Sequence, residues 1–297
     1  MTRFQVEHVN RYRYARPIGL NYGEARLLPR DAPGQRVLDS RLVLAPEVDD
    51  RRDRLDAFGN RVAWFSLRRP HDTLDVTALS LIERTPVPGT PDETTWGAVV
   101  AGLAGPPVED RGEHLAAREC RLPSPHVALE PDAVAYARQS FPPGRPLLEA
   151  VAELTARIHA EFDYRPDATA IDTPLSEVLA RRHGVCQDFA HLALAGLRGL
   201  GLAARYVSGY LETTPPPGQP RQVGADASHA WISVYLPGQG WFDFDPTNGV
   251  ATGEGHLTLA WGRDYGDVAP LKGVIYGNGS HSLDVGVTVT RLAQPRP

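Results

Sequence analysis

A chain of 297 residues with 42% hydrophobic content is long enough for two domains and can fill a core in each. A formal net charge of -5, with no lysine or arginine run, offers nothing to grip nucleic acid or an anionic membrane surface. No stretch reaches the ~18 apolar residues of a spanning helix, and the N-terminus alternates instead of forming a signal-type apolar segment, so a globular cytoplasmic protein without membrane or nucleic-acid partners is expected.

Residues 1–85 read as strands and turns. Phe4, Val6 and His8 alternate, Leu42, Val43 and Leu44 form a short apolar run, and Ala57-Phe58-Gly59-Asn60 supplies turn residues ahead of Val62-Ala63-Trp64-Phe65. With Leu74, Val76, Ala78 and Leu81 continuing the pattern, this region is predicted to be an antiparallel β-sandwich-like domain. A proline-rich passage from Thr85 to Pro91 then opens a connector, residues 86–145, weakly patterned up to Pro125 and expected to be mostly extended or looped, with one short helix.

Residues 146–297 are predicted to form a catalytic core, making the chain α+β overall. Leu147, Val151, Leu154, Ile158 and Phe162 make one helical stripe. Thr173 before Pro174 signals an N-cap and first-turn proline for a second helix. A third helix starts at Cys186, carries Phe189, Leu192, Ala193, Leu197 and Leu200, and stops at Gly199 and Gly201. A strand over residues 204–211, a loop from Thr213 to Gly224, and a hairpin turned by Pro237-Gly238-Gln239-Gly240 follow. Residues 250–270 read as irregular. Val274-Ile275-Tyr276 is predicted to pair with the alternating Leu283, Val285, Val287 and Val289 as a closing hairpin turned by Gly277-Asn278-Gly279-Ser280.

The chemistry centres on Gly184-Val185-Cys186-Gln187-Asp188. A thiol in the first turn of a helix faces unpaired N–H groups, whose partial positive charge favours thiolate, and the preceding glycine lets the chain turn sharply. Such a nucleophile needs a base within reach and a third group to orient that base. His229 opens one strand of the hairpin and Asp245 closes the next, so antiparallel pairing would set them opposite each other. Asp243, two residues earlier on the same face, competes for the orienting role. The backbone N–H of Cys186 can serve as one oxyanion donor.

The remaining chemistry-bearing residues have plainer readings. Asp188 favours the helix N-terminus, His191 decorates a helix face, and His183 with Arg181 and Arg182 forms a solvated helix end, with a substrate-facing role for His183 as the alternative. Cys120 is expected to be an inert thiol, unpaired with Cys186. No Cys-x-x-Cys or His-x-x-x-His pair points to a metal, so no metal or other cofactor is expected. Trp64, Trp96 and Trp261 are read as packing residues, and Asn278-Gly279-Ser280 as a turn.

Gly184-Val185-Cys186-Gln187-Asp188-Phe189-Ala190, His229-Ala230-Trp231 and Trp241 through Asp245-Pro246-Thr247, in that order, resemble the bacterial branch of the transglutaminase-like superfamily. Tyr12-Arg13-Tyr14 and Asp56-Ala57-Phe58-Gly59-Asn60 resemble the β-rich N-terminal domain that accompanies this core. The resemblance implies a papain-like fold with Cys186, His229 and Asp245 as the triad, and its Pro-Thr sequel favours Asp245 over Asp243. It further implies a cysteine enzyme acting on a peptide or protein substrate through a thioester. The lack of an acidic calcium-loop pattern favours hydrolysis, with cross-linking to an amine, or a non-catalytic scaffold of the same fold, as the alternatives.

Overall fold

The computed structural model describes residues 1–87, 92–105, 111–166, 168–213, 228–277 and 279–293. The predicted loop on Pro215, the prolines at 88 and 91, and Asn278 lie outside them. The N-terminal region contributes β1 (Thr2–Ile18), β2 (Leu20–Ala25), β3 (Gln35–Ala45), β4 (Asp50–Leu55), β5 (Arg61–Leu67) and β6 (His71–Arg84). Alternation acts as expected here, since Phe4, Val6, His8 and Asn10 are buried along one face of β1.

The former connector carries three helices, α1 (Trp96–Ala104), α2 (Arg111–Glu119) and α3 (Pro131–Arg138). The expectation of a mostly extended passage with one short helix is thereby corrected. Helices this short show few periodic positions: α1 buries only Val99 and Leu103, and its start is marked by the Thr95 hydroxyl accepting the Ala98 N–H at 3.3 Å. The chain continues through α4 (Leu147–Glu161), β7 (Asp163–Tyr164), α5 (Leu175–Arg181), β8 (His183–Gly184), α6 (Cys186–Gly199), β9 (Ala204–Leu211), β10 (Ser228–Leu236), β11 (Gly240–Asp245), β12 (Val250–Ala251), β13 (His256–Gly262), α7 (Tyr265–Val268), β14 (Leu271–Tyr276) and β15 (His281–Leu292). Pro174, not Thr173, occupies the N-cap position of α5 and makes no side-chain cap bond, while the Thr173 hydroxyl accepts the Ala170 N–H at 2.8 Å.

Two four-stranded antiparallel sheets, ordered β15-β1-β6-β3 and β14-β2-β5-β4, enclose Tyr14, Ile18, Leu42, Phe65, Leu74 and Val76. The predicted closing hairpin does not form. β14 pairs with β2, from Leu271↔Ala25 to Tyr276↔Leu20, and β15 pairs with β1, from Arg3↔Leu292 to Tyr14↔His281. Alternation fixes the two faces of a strand but not its neighbour, and here the tail completes the N-terminal sandwich.

The core sheet runs β12-β11-β10-β9-β13. β13, in the stretch expected to be irregular, has nearly every residue buried on both faces, so it shows no alternation to read. Helix α6 packs on β9 and β10 and is surrounded: Phe189, Leu192, Leu194 and Leu197 are 1% exposed or less, each burial contributing roughly 1.5–3 kcal/mol. A Cβ on Gly199 would lie 2.1 Å from Val134 of α3, so this glycine serves helix packing, while Gly201, with φ of +87°, makes the stop. Phe4, Val6, Ile82, Val287 and Val289 of the first sheet meet Tyr210, Leu257 and Leu259 of the core sheet in a shared apolar seam. Among the described residues no helix is long and apolar enough to cross a membrane.

Candidate active site

Cys186 is the first residue of α6 and is partly exposed. The Asp188 carboxylate reaches back to accept the Val185 N–H at 2.8 Å and the Thr169 hydroxyl at 2.6 Å, closing the first turn. Burial pushes the Asp188 carboxyl above its usual range. A Cβ on Gly184 would fall 2.7 Å from the same carboxylate oxygen. Gly184 is therefore required by the close approach of Asp188; its φ is not in the left-handed region.

His229 lies on β10 opposite Gly209 of β9. Its Nε2 is 2.7 Å from Asp245 Oδ2. The two residues are not directly opposite as expected: the hairpin pairs Ile232 with Phe244, so Asp245 is reached along a diagonal. Asp243 goes elsewhere, accepting the Trp231 indole N–H at 3.1 Å. With Nε2 engaged by Asp245, Nδ1 is the nitrogen left for the thiol. Burial disfavours a charged His229, but hydrogen bonds to Asp245 and Cys186 outweigh it and raise the imidazole to about 9.

Asp245 has no exposed side-chain surface and collects five donors. Thr247 N–H and Asn248 N–H reach Oδ1 at 2.9 and 3.2 Å. His229, His256 and the Asn248 amide reach Oδ2 at 2.7, 3.0 and 2.6 Å. Burial alone would raise this carboxyl, yet these partners hold it well below the usual carboxylate range. A fixed anion with two imidazoles on it, one of them His229 with its other nitrogen left for the thiol, can stabilise an imidazolium–thiolate pair.

Two families match this chain in succession: the bacterial transglutaminase-like N-terminal region over residues 4–83, and the transglutaminase-like superfamily over residues 135–246. The chain belongs to the transglutaminase-like superfamily. An uncharacterized protein of Mycobacterium tuberculosis is 42% identical over 97% of this chain and 92% of its own length. One from Mycobacterium leprae is 36% identical over 99% and 100%. A protein-glutamine gamma-glutamyltransferase of Pseudomonas aeruginosa is 36% identical over 105 residues, 34% of this chain and 16% of that protein. A crystal structure from Cytophaga hutchinsonii, of a protein whose name proposes a cysteine protease, shares the fold with a TM-score of 0.74 at 19% identity, covering 100% of this chain and 92% of that one.

The superfamily blocks did not announce His256 or Asn248. Asn248 follows the Asp245-Pro246-Thr247 signature directly, whereas His256 stands alone in a stretch without pattern. His229, Asp245 and His256 present donor atoms within 4.8 Å of one another, the dimensions of a metal site. His256 Nδ1 accepts the Gly253 N–H at 3.1 Å, so its Nε2 carries the hydrogen and has no lone pair to offer a metal. His191, expected on an exposed helix face, is 3% exposed and accepts the Tyr265 N–H, and burial lowers its imidazole to about 3. Cys120 is buried, which pushes its thiol up, and neither cysteine is in a disulfide.

Proposed function

We propose that this protein is a cysteine enzyme that transfers the acyl group of a peptide or isopeptide amide to Cys186 and then to water. The observation that carries the reading is His229, held between the Asp245 carboxylate at 2.7 Å and the Cys186 thiol. The Cys186 sulfur attacks the amide carbonyl carbon and the C–N bond breaks as His229 delivers a proton to the leaving amine. The Cys186 N–H at the start of α6 stabilises the developing oxyanion. In the second half His229 takes a proton from water, the hydroxide attacks the thioester, and the acid leaves with the thiol restored.

The same thioester can be opened by a lysine amine, and the partial match to a protein-glutamine gamma-glutamyltransferase favours that second reading. Incubation of wild type and Cys186→Ala with a glutamine-containing peptide library, with and without a primary amine, distinguishes the two by mass spectrometry. Cleaved or deamidated peptides support water as acceptor, and amine-capped peptides support transfer. Identical products from the wild type and Cys186→Ala would overturn both.

A further inference from the structure

His256 sits at the start of β13 with its Nε2 3.0 Å from Asp245 Oδ2, the oxygen that His229 also engages. A backbone N–H can only donate, so the Gly253 contact fixes Nδ1 of His256 as an acceptor and Nε2 as an N–H. His256 is thereby a built-in neutral donor to the carboxylate, while His229 on the same oxygen is free to change its charge. Asp245, His229 and the Trp231 ring, set at 86° to the imidazole, face His256, and the charged groups on its own turn are Glu254 with Arg84 and Arg291 of the sandwich, which bind that turn.

His256 is held by its own turn and by pairing of β13 with β9 at Leu211, and the N-terminal domain grips that turn and strand from the other side. Thr2 and Arg291 bind the Glu254 carboxylate at 2.6 and 2.9 Å, and Arg84 donates to the Gly253 carbonyl at 3.4 Å. Along β13, an edge strand of the core sheet, two side-chain amides act as if they were strand residues. Gln35 donates to the Thr258 carbonyl at 2.7 Å and accepts the Thr258 N–H at 2.9 Å. Asn60, from the Asp56–Asn60 turn, does the same for Trp261 at 2.7 and 3.0 Å.

We propose that His256 is a positioning residue for Asp245 and His229, and that the N-terminal β domain acts on the site by holding the 253–261 segment through Thr2, Gln35, Asn60, Arg84 and Arg291. The proposal rests on the cysteine-enzyme reading, but its tests need no turnover. Asp245 shares its charge among its donors. Deleting the His256 donor leaves more of that charge on His229, because Thr247 and Asn248 still hold the carboxylate in place.

The experiment measures Cys186 alkylation by iodoacetamide against pH. In the wild type the upper limb should report loss of the imidazolium proton near the raised value of about 9. His256→Leu should move this limb upward by about one pH unit, the size expected when one charge-assisted hydrogen bond is lost. His256→Gln, which can still donate to Asp245, should return it to within about a third of that shift. Gln35→Leu should reproduce the direction with a smaller shift. A folded His256→Leu protein with a wild-type profile overturns the positioning role, and Gln35→Leu with lowered stability but an unmoved limb overturns the part assigned to the domain. Should His256→Leu fail to fold, imidazole nitrogen NMR of the wild type still decides: His256 must carry its hydrogen on Nε2 with Nδ1 accepting, and a ring with hydrogen on Nδ1 sinks the proposal. A wild-type alkylation profile identical to that of His229→Ala would instead remove the cysteine-enzyme reading while leaving the His256 tautomer to be judged by itself.

Discussion

The two sides of His229 are held by different kinds of structure. On the sulfur side, Cys186 is fixed by its own neighbourhood, with Gly184, Val185 and Asp188 within one helical turn and Thr169 a short distance upstream. On the carboxylate side, Asp245 depends on His256, and His256 depends on a turn and strand gripped by residues 2, 35, 60, 84 and 291. Perturbing one side locally should therefore change thiol presentation, while perturbing the seam between the domains should change the imidazole–carboxylate pair.

The largest effects come from the residue both sides share and from the carboxylate beside it. His229→Ala should lower kcat/KM by at least about 10³, since acid and base functions are lost together. Asp245→Asn should cost roughly 10²-fold or more in kcat, and it should also lower Tm. An asparagine side chain presents an NH2 where one carboxylate oxygen now meets two or three donors, leaving N–H groups facing each other at about 1–3 kcal/mol apiece. Steady-state kinetics and thermal melts check both, and an Asp245→Asn protein that melts like the wild type would show that the five-donor arrangement carries no stability.

The next effect tests the seam by pH. His8 is 1% exposed, its Nδ1 lies 3.1 Å from the Tyr210 hydroxyl across the domain boundary, and burial lowers its imidazole to about 4. The unfolded chain, with histidine near ~6.5, binds the proton that folded His8 refuses, so stability is present above ~6.5 and is lost as pH falls towards 4. The contribution is on the order of 3 kcal/mol over that window. His8→Gln should flatten the acid limb of ΔG against pH without removing it, because His191 titrates in the same direction. An unaltered slope in His8→Gln would show that the seam is insensitive to charge.

Gly184→Ala breaks the comparison from the local side. The added Cβ would sit 2.7 Å from the Asp188 carboxylate oxygen, displacing it from the Val185 N–H. Losing that cap and straining the turn should cost roughly 2 kcal/mol by urea denaturation, and it should slow Cys186 alkylation without moving the upper limb near 9. If the upper limb moves as well, the two sides of His229 are not separable.

What could be read from the residues alone follows the same division. Helix α4 declares itself because its burial is one-sided, the β10–β11 hairpin because its turn is spelled by Pro and Gly, and the Cys186 helix, although surrounded, because Gly184 and Gly201 bracket it over a short distance. The choice between Asp243 and Asp245 is set by where the Trp231 indole points, a fact of packing that residue spacing does not contain. β13 escapes because a strand buried on both faces has no period, and His256 escapes with it. The tail strands β14 and β15 are legible as strands but not in their partners, since β1 and β2 lie more than 240 residues away. The Asp56–Asn60 turn is visible in sequence, yet its grip on Trp261 is not.

Arg291→Met is expected to have the smallest effect and to discriminate most finely between a seam held by its apolar surface and one held by charge. Arg291 binds Glu212 at 2.7 Å and Glu254 at 2.9 Å, but its side chain is 43% exposed, so water and salt screen both pairs. Methionine keeps an aliphatic stem and removes the guanidinium, whose carbon lies 4.8 Å from the Phe4 ring centroid, together with its charge and hydrogen bonds. The loss should be under about 1 kcal/mol at low ionic strength and should vanish near 1 M salt, where wild type and variant converge. Because Thr2 and Arg84 remain on the same turn, the upper limb of Cys186 alkylation should move less than in Gln35→Leu. An Arg291→Met protein that loses more stability than Gly184→Ala, or whose deficit persists in high salt, would mean that the ion pairs and not Phe4, Tyr210 and Leu257 hold the second domain against the site.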